Sequence, residues 1–257
     1  MDTVSLYYEE RGSGTPVVLL HGFPLDHTIW NPVVPLLEIH ARLILPDLRG
    51  HGKSPLGQAN SIREMAEDVA VLLDMLDIPR AILVGHSMGG YVALAFARAH
   101  PHRLAGLGLV ASQAESDTPE KQRGRYNTAA DVRKHGLRKL AEGISQKLSA
   151  QPGLVETIRQ IILQANPAGV VSALAAMAER PDATDWLGEI RVPAVVIAGE
   201  ADALMPPDRA VTLEQLLPHS WRVSLPGVGH LPMMEAPEQT AHPLVELIQS
   251  EQNHQAM

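Results

Sequence analysis

Short apolar runs recur along the chain, and most of them are apolar at consecutive positions rather than at alternate ones. Six such runs are Val17–Leu20, Leu43–Leu45, Ala81–Val84, Leu104–Val110, Ala194–Ala198 and Val223–Leu225. Runs of this length are typical of parallel strands that are buried on both faces. Val4–Glu10 alternates better, which predicts an antiparallel strand in a hairpin at the edge of the sheet.

Between these runs, apolar residues recur three and four positions apart, as they do on one face of a helix. The clearest example is Ile62–Leu76, which Ser61 precedes as a predicted N-cap with Glu64 at the capping-box position. Three further helices are predicted at Tyr91–Ala99, Thr212–Leu217 and Pro237–Gln249. Because strands and helices alternate, the pattern predicts an α/β fold, a mostly parallel twisted sheet with helices on both faces.

One long segment, residues 115–185, has helical periodicity and no strand-like run. Its length and its position between two predicted strands indicate an insertion. We expect residues 1–114 and 186–257 to form one α/β core, and residues 115–185 to form a helical cap over the sheet.

The strongest chemical signal is Gly85-His86-Ser87-Met88-Gly89, which lies between a predicted strand and a predicted helix. This is the G-x-S-x-G pattern of a nucleophile elbow, in the strand–turn–helix context that the elbow requires. Glycines flank the serine because a Cβ at either position would crowd the tight turn. The pattern predicts Ser87 as a nucleophile.

A second signal is His21-Gly22-Phe23-Pro24, directly after the strand at Val17–Leu20. Acyl transfer needs two N–H groups that point at the developing oxyanion. We expect one from the backbone of Met88 and the other from the backbone of Phe23. His21 is then expected to hold the loop in place.

The acid and the base are predicted after two later strands. Asp202 follows Ala194–Ala198, and His230 follows Val223–Leu225 in a glycine-rich loop. The order serine, acid, histidine is that of an elbow-type triad, with His230 as the base and Asp202 as its orienting acid. Glu200 and Asp208 are rival acids. The other histidines considered, His51, His86 and His219, are interpreted as turn or surface residues.

Together these motifs resemble those of the α/β-hydrolase superfamily over nearly the whole chain. Asp47-Leu48-Arg49-Gly50-His51-Gly52-Lys53-Ser54 resembles a structural loop of cofactor-free members, and the helical insertion resembles their cap. The resemblance implies a Ser–His–Asp hydrolase that uses no metal and no organic cofactor. Ser87 stands where dehalogenases and epoxide hydrolases of the superfamily carry aspartate, which disfavours both of those chemistries.

We therefore interpret the chain as a carboxylic-ester hydrolase that works through an acyl-serine intermediate. The same triad would also serve an enol-lactonase, a perhydrolase or a C–C hydrolase. A non-catalytic ligand receptor on the same fold is the alternative outside the enzymes.

Composition limits the partners and the cellular location that we expect. The formal net charge of −8 argues against a nucleic-acid partner, and the absence of cysteine excludes disulfides and thiolate sites. No secretory signal is recognisable after Met1, and no apolar run approaches the roughly 18 residues of a membrane helix. We expect a soluble, cytoplasmic protein that acts on a small-molecule ester; the oligomeric state is left open.

The substrate side gives weaker signals. Leu204 and Leu231 adjoin catalytic positions and are expected to line the pocket, with Met177 as part of its roof. Tyr126 is the only aromatic residue between positions 115 and 185, which favours an aliphatic acyl group. Residues 121–139 contain seven Lys or Arg and one Asp. This basic segment is either a solvated helix face or a docking surface for an anionic or carrier-linked substrate.

Overall fold

A computed structural model describes residues 2–58, 60–149 and 151–255. Within them, seven strands form one sheet in the order β1-β3-β2-β4-β5-β6-β7. The strands are β1 Tyr8–Gly12, β2 Pro16–Leu20, β3 Arg42–Pro46, β4 Ala81–His86, β5 Leu104–Val110, β6 Ala194–Gly199 and β7 Ser220–Leu225. All neighbouring pairs are parallel except β1 with β3. The predicted α/β fold with a mostly parallel sheet is confirmed.

The first strand is antiparallel at the edge of the sheet, but the prediction that it forms a hairpin with the next strand is wrong. The first strand is shorter than predicted and pairs antiparallel with β3, from Tyr8 opposite Pro46 to Gly12 opposite Arg42. The next strand in the chain, β2, pairs with β3 and β4 instead. The reason is burial: β2 is buried over its last four residues and takes an interior place, whereas the polar β1 is suited to the edge.

The helices cover both faces of the sheet. They are α1 Val34–Leu37, α2 Ile62–Met75, α3 Met88–Ala99, α4 Pro119–His135, α5 Arg138–Leu148, α6 Pro152–Gln164, α7 Pro167–Glu179, α8 Pro207–Leu216, α9 Pro232–Glu235 and α10 Pro237–Gln255. Two apolar clusters follow from the alternation of side chains along each strand. Val18 and Leu20 belong to the cluster that contains α2 and α3, and Val17 and Leu19 to the cluster that contains α1 and α10.

Helices α4 to α7 lie between β5 and β6 in the chain, within the segment 115–185, which we call the inserted segment. Helix α4 packs on α7, and α5 packs on α6. Gly169 in α7 touches the loop after β3, where a Cβ at position 169 would overlap the Gly50 carbonyl. No single helix in the described ranges is long and apolar enough to cross a membrane, and only the pair α6 and α7, bent by 101°, passes that test on length and composition.

The parallel strands end at one edge of the sheet, where β4, β5, β6 and β7 are consecutive neighbours. Ser87 follows β4, Asp202 comes three residues after β6, and His230 comes five residues after β7. Carboxyl ends of parallel strands are where open α/β sheets carry their ligand sites. The topology therefore places the loops of all three predicted residues at that edge.

Candidate active site

Ser87 occupies a strained turn between β4 and α3. Its backbone has φ 51° and ψ −111°, in the region that residues with a Cβ rarely adopt. The neighbouring backbone is packed so tightly that a Cβ at Gly85 would overlap Gly89, and a Cβ at Gly89 would overlap the Leu20 carbonyl. Glycine at these two positions is therefore a steric requirement of the turn.

Four hydrogen bonds hold the backbone of this turn. The Ser87 N–H donates to the Val110 carbonyl at 2.9 Å, and the Ser87 carbonyl accepts from the Gly90 N–H at 2.9 Å and from the Tyr91 N–H at 3.4 Å. The same carbonyl accepts from the Ser112 hydroxyl at 2.9 Å. The strained conformation is thus fixed from β5 and from the first turn of α3.

Asp202 and His230 meet in a buried contact. The distance from His230 Nδ1 to Asp202 Oδ2 is 2.7 Å, and the two side chains are 3% and 1% exposed. The second carboxylate oxygen of Asp202 accepts from the backbone N–H of Leu204 at 2.8 Å and of Met205 at 2.9 Å. Because each oxygen has a donor, the carboxylate is oriented as well as buried, and Nε2 is the imidazole nitrogen left for a partner at the elbow.

The loop that carries His230 is fastened on two sides. His86, the last residue of β4, places Nε2 at 2.8 Å from the His230 carbonyl, and the two imidazole rings lie 4.9 Å apart. A carbonyl only accepts, so His86 Nε2 carries the hydrogen. The Glu235 carboxylate accepts from the N–H of Gly229 at 3.0 Å and of Leu231 at 3.3 Å. The His86 contact binds this loop directly to the residue that precedes Ser87, and the Glu235 contacts hold the loop together.

The two predicted oxyanion donors lie at the start of α3 and in the loop after β2. Met88 is the first residue of α3, where a helix leaves N–H groups without acceptors, and Phe23 follows β2. Within the described ranges neither N–H has an intramolecular acceptor. His21 holds the Phe23 loop, because its Nε2 accepts from the Leu48 N–H at 2.9 Å while Nδ1 contacts the Gly22 carbonyl at 3.0 Å.

Three histidines beside the site are buried in the neutral form. Burial lowers the pKa of His21, and burial together with the neighbouring His230 lowers the pKa of His86 well below its usual value. Burial, reinforced by His21, lowers the pKa of His51 to about 3. The sequence suggested turn or surface positions for His51, His86 and His219. His51 and His86 are instead buried, whereas His219 is exposed. Glycine-rich surroundings made them look like turn positions, while the ring contacts that bury them are long-range.

The predicted pocket residues do not form one wall. Met177 belongs to the same apolar cluster as Phe23 and Met88, but it is 2% exposed and its sulfur accepts from Arg125 Nη1 at 3.3 Å. Leu231 is fully buried in the other cluster. Leu204 is half-buried and lines a cavity of about 420 Å³ with residues of α4 and α5. Of the three, Leu204 is the residue that the structure places at a cavity.

One group of metal-ligating side chains lies among the described residues, at Asp26, His27 and Asp47. The Asp47 carboxylate is already engaged by protein donors: Oδ1 lies 2.6 Å from His27 Nδ1, and Oδ2 accepts from the Lys53 N–H at 2.9 Å. Burial alone would lower the pKa of His27, but the hydrogen bond and charge of Asp47 outweigh it and raise the pKa. The cluster fastens the loop after β2 to the loop after β3.

Comparison with known proteins agrees with this architecture. Residues 15–237 match the family model described as alpha/beta hydrolase fold. The chain belongs to that family. This hydrolase is 31% identical to the pimeloyl-[acyl-carrier protein] methyl ester esterase of Sodalis glossinidius, over 96% of the chain and 99% of the relative. An esterase from Thermogutta terrifontis, solved with malate bound, superposes with a TM-score of 0.93 at 40% identity, covering 96% of this chain and 94% of that one.

A further relative is longer than this hydrolase. The dihydrolipoyllysine-residue acetyltransferase component of the acetoin cleaving system of Pseudomonas putida is 35% identical over 91% of the chain, but the match spans only 63% of that relative. Its likeness therefore concerns a part of a larger protein. The family match makes this chain an enzyme of hydrolase type.

Sequence reasoning missed three residues that position the site: His86, Ser112 and Glu235. His86 stood inside the elbow motif, and its place next to Ser87 could have flagged it. Ser112 lies two residues after β5, and Glu235 lies five residues after His230. Both act by hydrogen bonds to backbone groups of other segments, for which a single sequence carries no local pattern.

Proposed function

We propose that this hydrolase cleaves carboxylic esters through an acyl-serine intermediate, with Ser87 as nucleophile, His230 as base and Asp202 as orienting acid. The observation that carries the proposal is the buried His230–Asp202 contact of 2.7 Å, on a loop that His86 ties to the elbow. A buried, doubly oriented carboxylate against an imidazole is the arrangement by which an acid fixes the tautomer of a catalytic histidine.

In the proposed reaction, Ser87 Oγ attacks the ester carbonyl carbon while its proton passes to His230 Nε2. The backbone N–H groups of Phe23 and Met88 donate to the oxyanion. Collapse breaks the bond to the alkoxide, which takes the proton back from His230, and an acyl-serine remains. Water repeats the two proton transfers and releases the acid, and Asp202 stays ionised throughout.

We further propose that the inserted segment acts as the cap of the core formed by residues 1–114 and 186–257. Leu204, Leu231 and Met177 remain the proposed pocket residues, and an aliphatic acyl group is the proposed substrate class. The esterase names of the Sodalis and Thermogutta relatives support a small-molecule ester. A cytoplasmic location remains a prediction.

A carrier-linked or otherwise anionic ester is the second part of the proposal. Exposed basic residues without an ion-pair partner among the described residues cluster on α4 and α5, namely Lys121, Arg123, Arg133, Lys134 and Arg138. Lys139 and Lys147 line the cavity that reaches Leu204, and the Leu204 N–H is bonded to Asp202. The acyl-carrier-protein ester in the name of the Sodalis relative is a substrate of this class.

The test of the triad is covalent labelling combined with turnover. A fluorophosphonate should add one label at Ser87, identified by peptide mass. Ser87→Ala should abolish the label and lower turnover of p-nitrophenyl butyrate by about 10⁴-fold or more. Ser112→Ala is the matched control, because Ser112 is the serine bonded to the Ser87 carbonyl and should not carry the label. A label on Ser112, or on any other serine, would contradict the assignment.

A second assay separates the alternatives. Esters and lactones of increasing chain length are compared by kcat/KM, with peroxyacid formation from acetate and peroxide measured alongside. Preference for a lactone would favour an enol-lactonase, and rapid peroxyacid formation a perhydrolase. Cleavage of a vinylogous diketone would favour a C–C hydrolase. Saturable binding of an ester with no turnover and no label would favour a receptor.

A further inference from the structure

A separate cavity of about 520 Å³ lies on the outer side of α3, between the start of α2 and the chain that follows α7. Ser87, Asp202 and His230 are not among the residues that line it. Its wall is largely apolar and includes Ile62, Leu94, Ala95, Ala183 and Trp186. Cavities of this size and character are typical of small-molecule sites.

One end of this cavity carries buried polar side chains. Tyr91 and Arg180 both line the cavity, and each is only 6% exposed. The Arg180 guanidinium lies 4.0 Å from the centre of the Tyr91 ring. In the described part of the chain, the Tyr91 hydroxyl has no hydrogen-bond partner and neither has Arg180 Nε. The Tyr91 hydroxyl itself is not closed off from solvent, so it is available to donate to a ligand in the cavity.

The charges behind that end do not cancel. Arg180 Nη1 contacts Asp117 Oδ1 at 2.8 Å, and Arg125 contacts the same carboxylate. Two guanidinium groups thus share one carboxylate, and one positive charge is left over. Another acid of this region, Glu115, is paired with Arg209 at 2.6 Å. The excess positive charge therefore remains close to Tyr91.

At the rim of the cavity the basic side chains are already paired with acids. Arg98 is paired with Glu189 at 2.9 Å, and Arg63 lies 3.9 Å from Glu67. The one acidic lining residue, Asp182, accepts from the N–H groups of Ser116 and Thr184. The rim therefore carries the one negative charge of Asp182, and the positive end of the cavity is at Tyr91 and Arg180.

We propose that this cavity is a second binding site, which takes a small monocarboxylate with an apolar body. The carboxylate accepts from the Tyr91 hydroxyl and is attracted by the uncompensated charge of the Arg125–Arg180–Asp117 group. Arg180 acts through its charge, because its unpaired Nε is closed off from solvent. The apolar body lies along Leu94, Ala95 and Trp186. The site does not depend on the proposed role of Ser87.

The probe is 4-phenylbutyrate, with the neutral 4-phenylbutanamide as its matched analogue, titrated into the full chain. Binding is followed by calorimetry and by the fluorescence of Trp186, the tryptophan that lines the cavity. We expect saturable binding of the carboxylate, tighter than that of the amide by about tenfold at low salt, with the ratio falling as salt rises. Trp186→Phe should remove the fluorescence change and keep the calorimetric signal.

Variants distinguish this site from the catalytic cleft. Tyr91→Phe should weaken binding of the carboxylate about fivefold, because one hydrogen bond is lost while the ring remains. Ala95→Leu should weaken it by about tenfold or more, because the larger side chain fills the apolar wall. Ala130→Leu, on the exposed face of α4, is the matched control and should bind normally. Melting temperatures of all variants show whether each is folded.

Three results would overturn the proposal. The first is no saturable binding of 4-phenylbutyrate at millimolar concentrations. The second is equal affinity for the carboxylate and the amide. The third is purely competitive inhibition of ester turnover that Ala95→Leu leaves unchanged, which would place the ligand in the catalytic cleft.

Discussion

The loops at the carboxyl edge of the sheet and the inserted segment differ in how tightly the chain is packed around their glycines. A Cβ at Gly22, Gly85, Gly89 or Gly199 would overlap atoms of a neighbouring segment of the chain. At Gly124, Gly143 and Gly153, in the inserted segment, a Cβ would meet nothing within 4 Å. The proposed triad and oxyanion loops are therefore closely packed at these glycines, whereas α4, α5 and α6 have room for a side chain at theirs; Gly169 in α7, which meets the Gly50 carbonyl, is the exception.

The two regions also differ in how their ionisable side chains are buried and paired. Close to the proposed triad, ionisable side chains are buried and paired, as in Asp202 with His230 and Asp47 with His27. On α4 and α5 most basic side chains are exposed, and where pairs occur, as in Lys139 with Asp131, the lysine is 77% exposed. Buried pairs hold geometry, while exposed charges act mainly through long-range attraction. Substitutions should accordingly have large effects in the first region and small ones in the second.

The largest effect is expected from Asp202→Asn. The amide cannot stabilise the imidazolium and favours the wrong tautomer of His230, so kcat for p-nitrophenyl butyrate should fall by about 10⁴-fold while the melting temperature changes little. Glu200→Gln is the matched control, because Glu200 lies two residues away and is exposed. If Glu200→Gln has the larger effect on kcat, the acid has been assigned wrongly.

The contrast between the regions also explains what the sequence could predict. Local patterns predict the strands, most helices and the positions of Ser87, Asp202 and His230. This is because strand ends and glycine-rich turns have signatures within a few consecutive residues. The partner of β1 and the burial of His51 and His86 depend on segments far away in the chain. The sequence specifies the pocket residues least, since Leu204, Leu231 and Met177 are predicted from adjacency or apolarity, and neither specifies which face of the sheet a side chain reaches.

Acid should destabilise the protein through the buried histidines of the first region. His21, His51 and His86 have lowered pKa values in the folded state, so the unfolded chain binds more protons below its ordinary histidine pKa of about 6.5. Stability should then fall as pH drops from about 6.5 towards 3. With three protons the slope is at most about 4 kcal/mol per pH unit.

Urea unfolding at pH 7, 6 and 5 measures this slope. His51→Asn keeps a donor for the Arg49 carbonyl, which His51 Nδ1 contacts at 3.0 Å, but removes one titrating group. The slope for His51→Asn should be shallower by about one proton. His135→Asn, at an exposed position of α4, should keep the wild-type slope. Equal slopes for wild type and His51→Asn would show that His51 is not held neutral in the folded protein.

A smaller effect is expected from Gly22→Ala. The new Cβ would overlap the His86 ring, which is fully buried and holds the His230 carbonyl. Displacing that ring should lower kcat by about 10- to 100-fold, as misplacements of about 1 Å do. Gly124→Ala, in the middle of α4, should leave kcat unchanged and raise stability by up to about 1 kcal/mol. A wild-type kcat for Gly22→Ala would mean that His86 does not position His230.

The smallest effect is expected on the basic face of the inserted segment. Replacing Arg133, Lys134, Arg138 and Lys139 with Gln should lower kcat/KM for carboxylate-bearing or carrier-linked esters by about tenfold at low salt, because steering acts on the encounter. Neutral p-nitrophenyl butyrate should be almost unaffected. The selective loss should shrink as salt rises, since the Debye length falls from about 10 Å at 0.1 M to about 3 Å at 1 M. An equal loss for charged and neutral esters would indicate a destabilised segment, and no loss for either would leave these side chains as a solvated helix face.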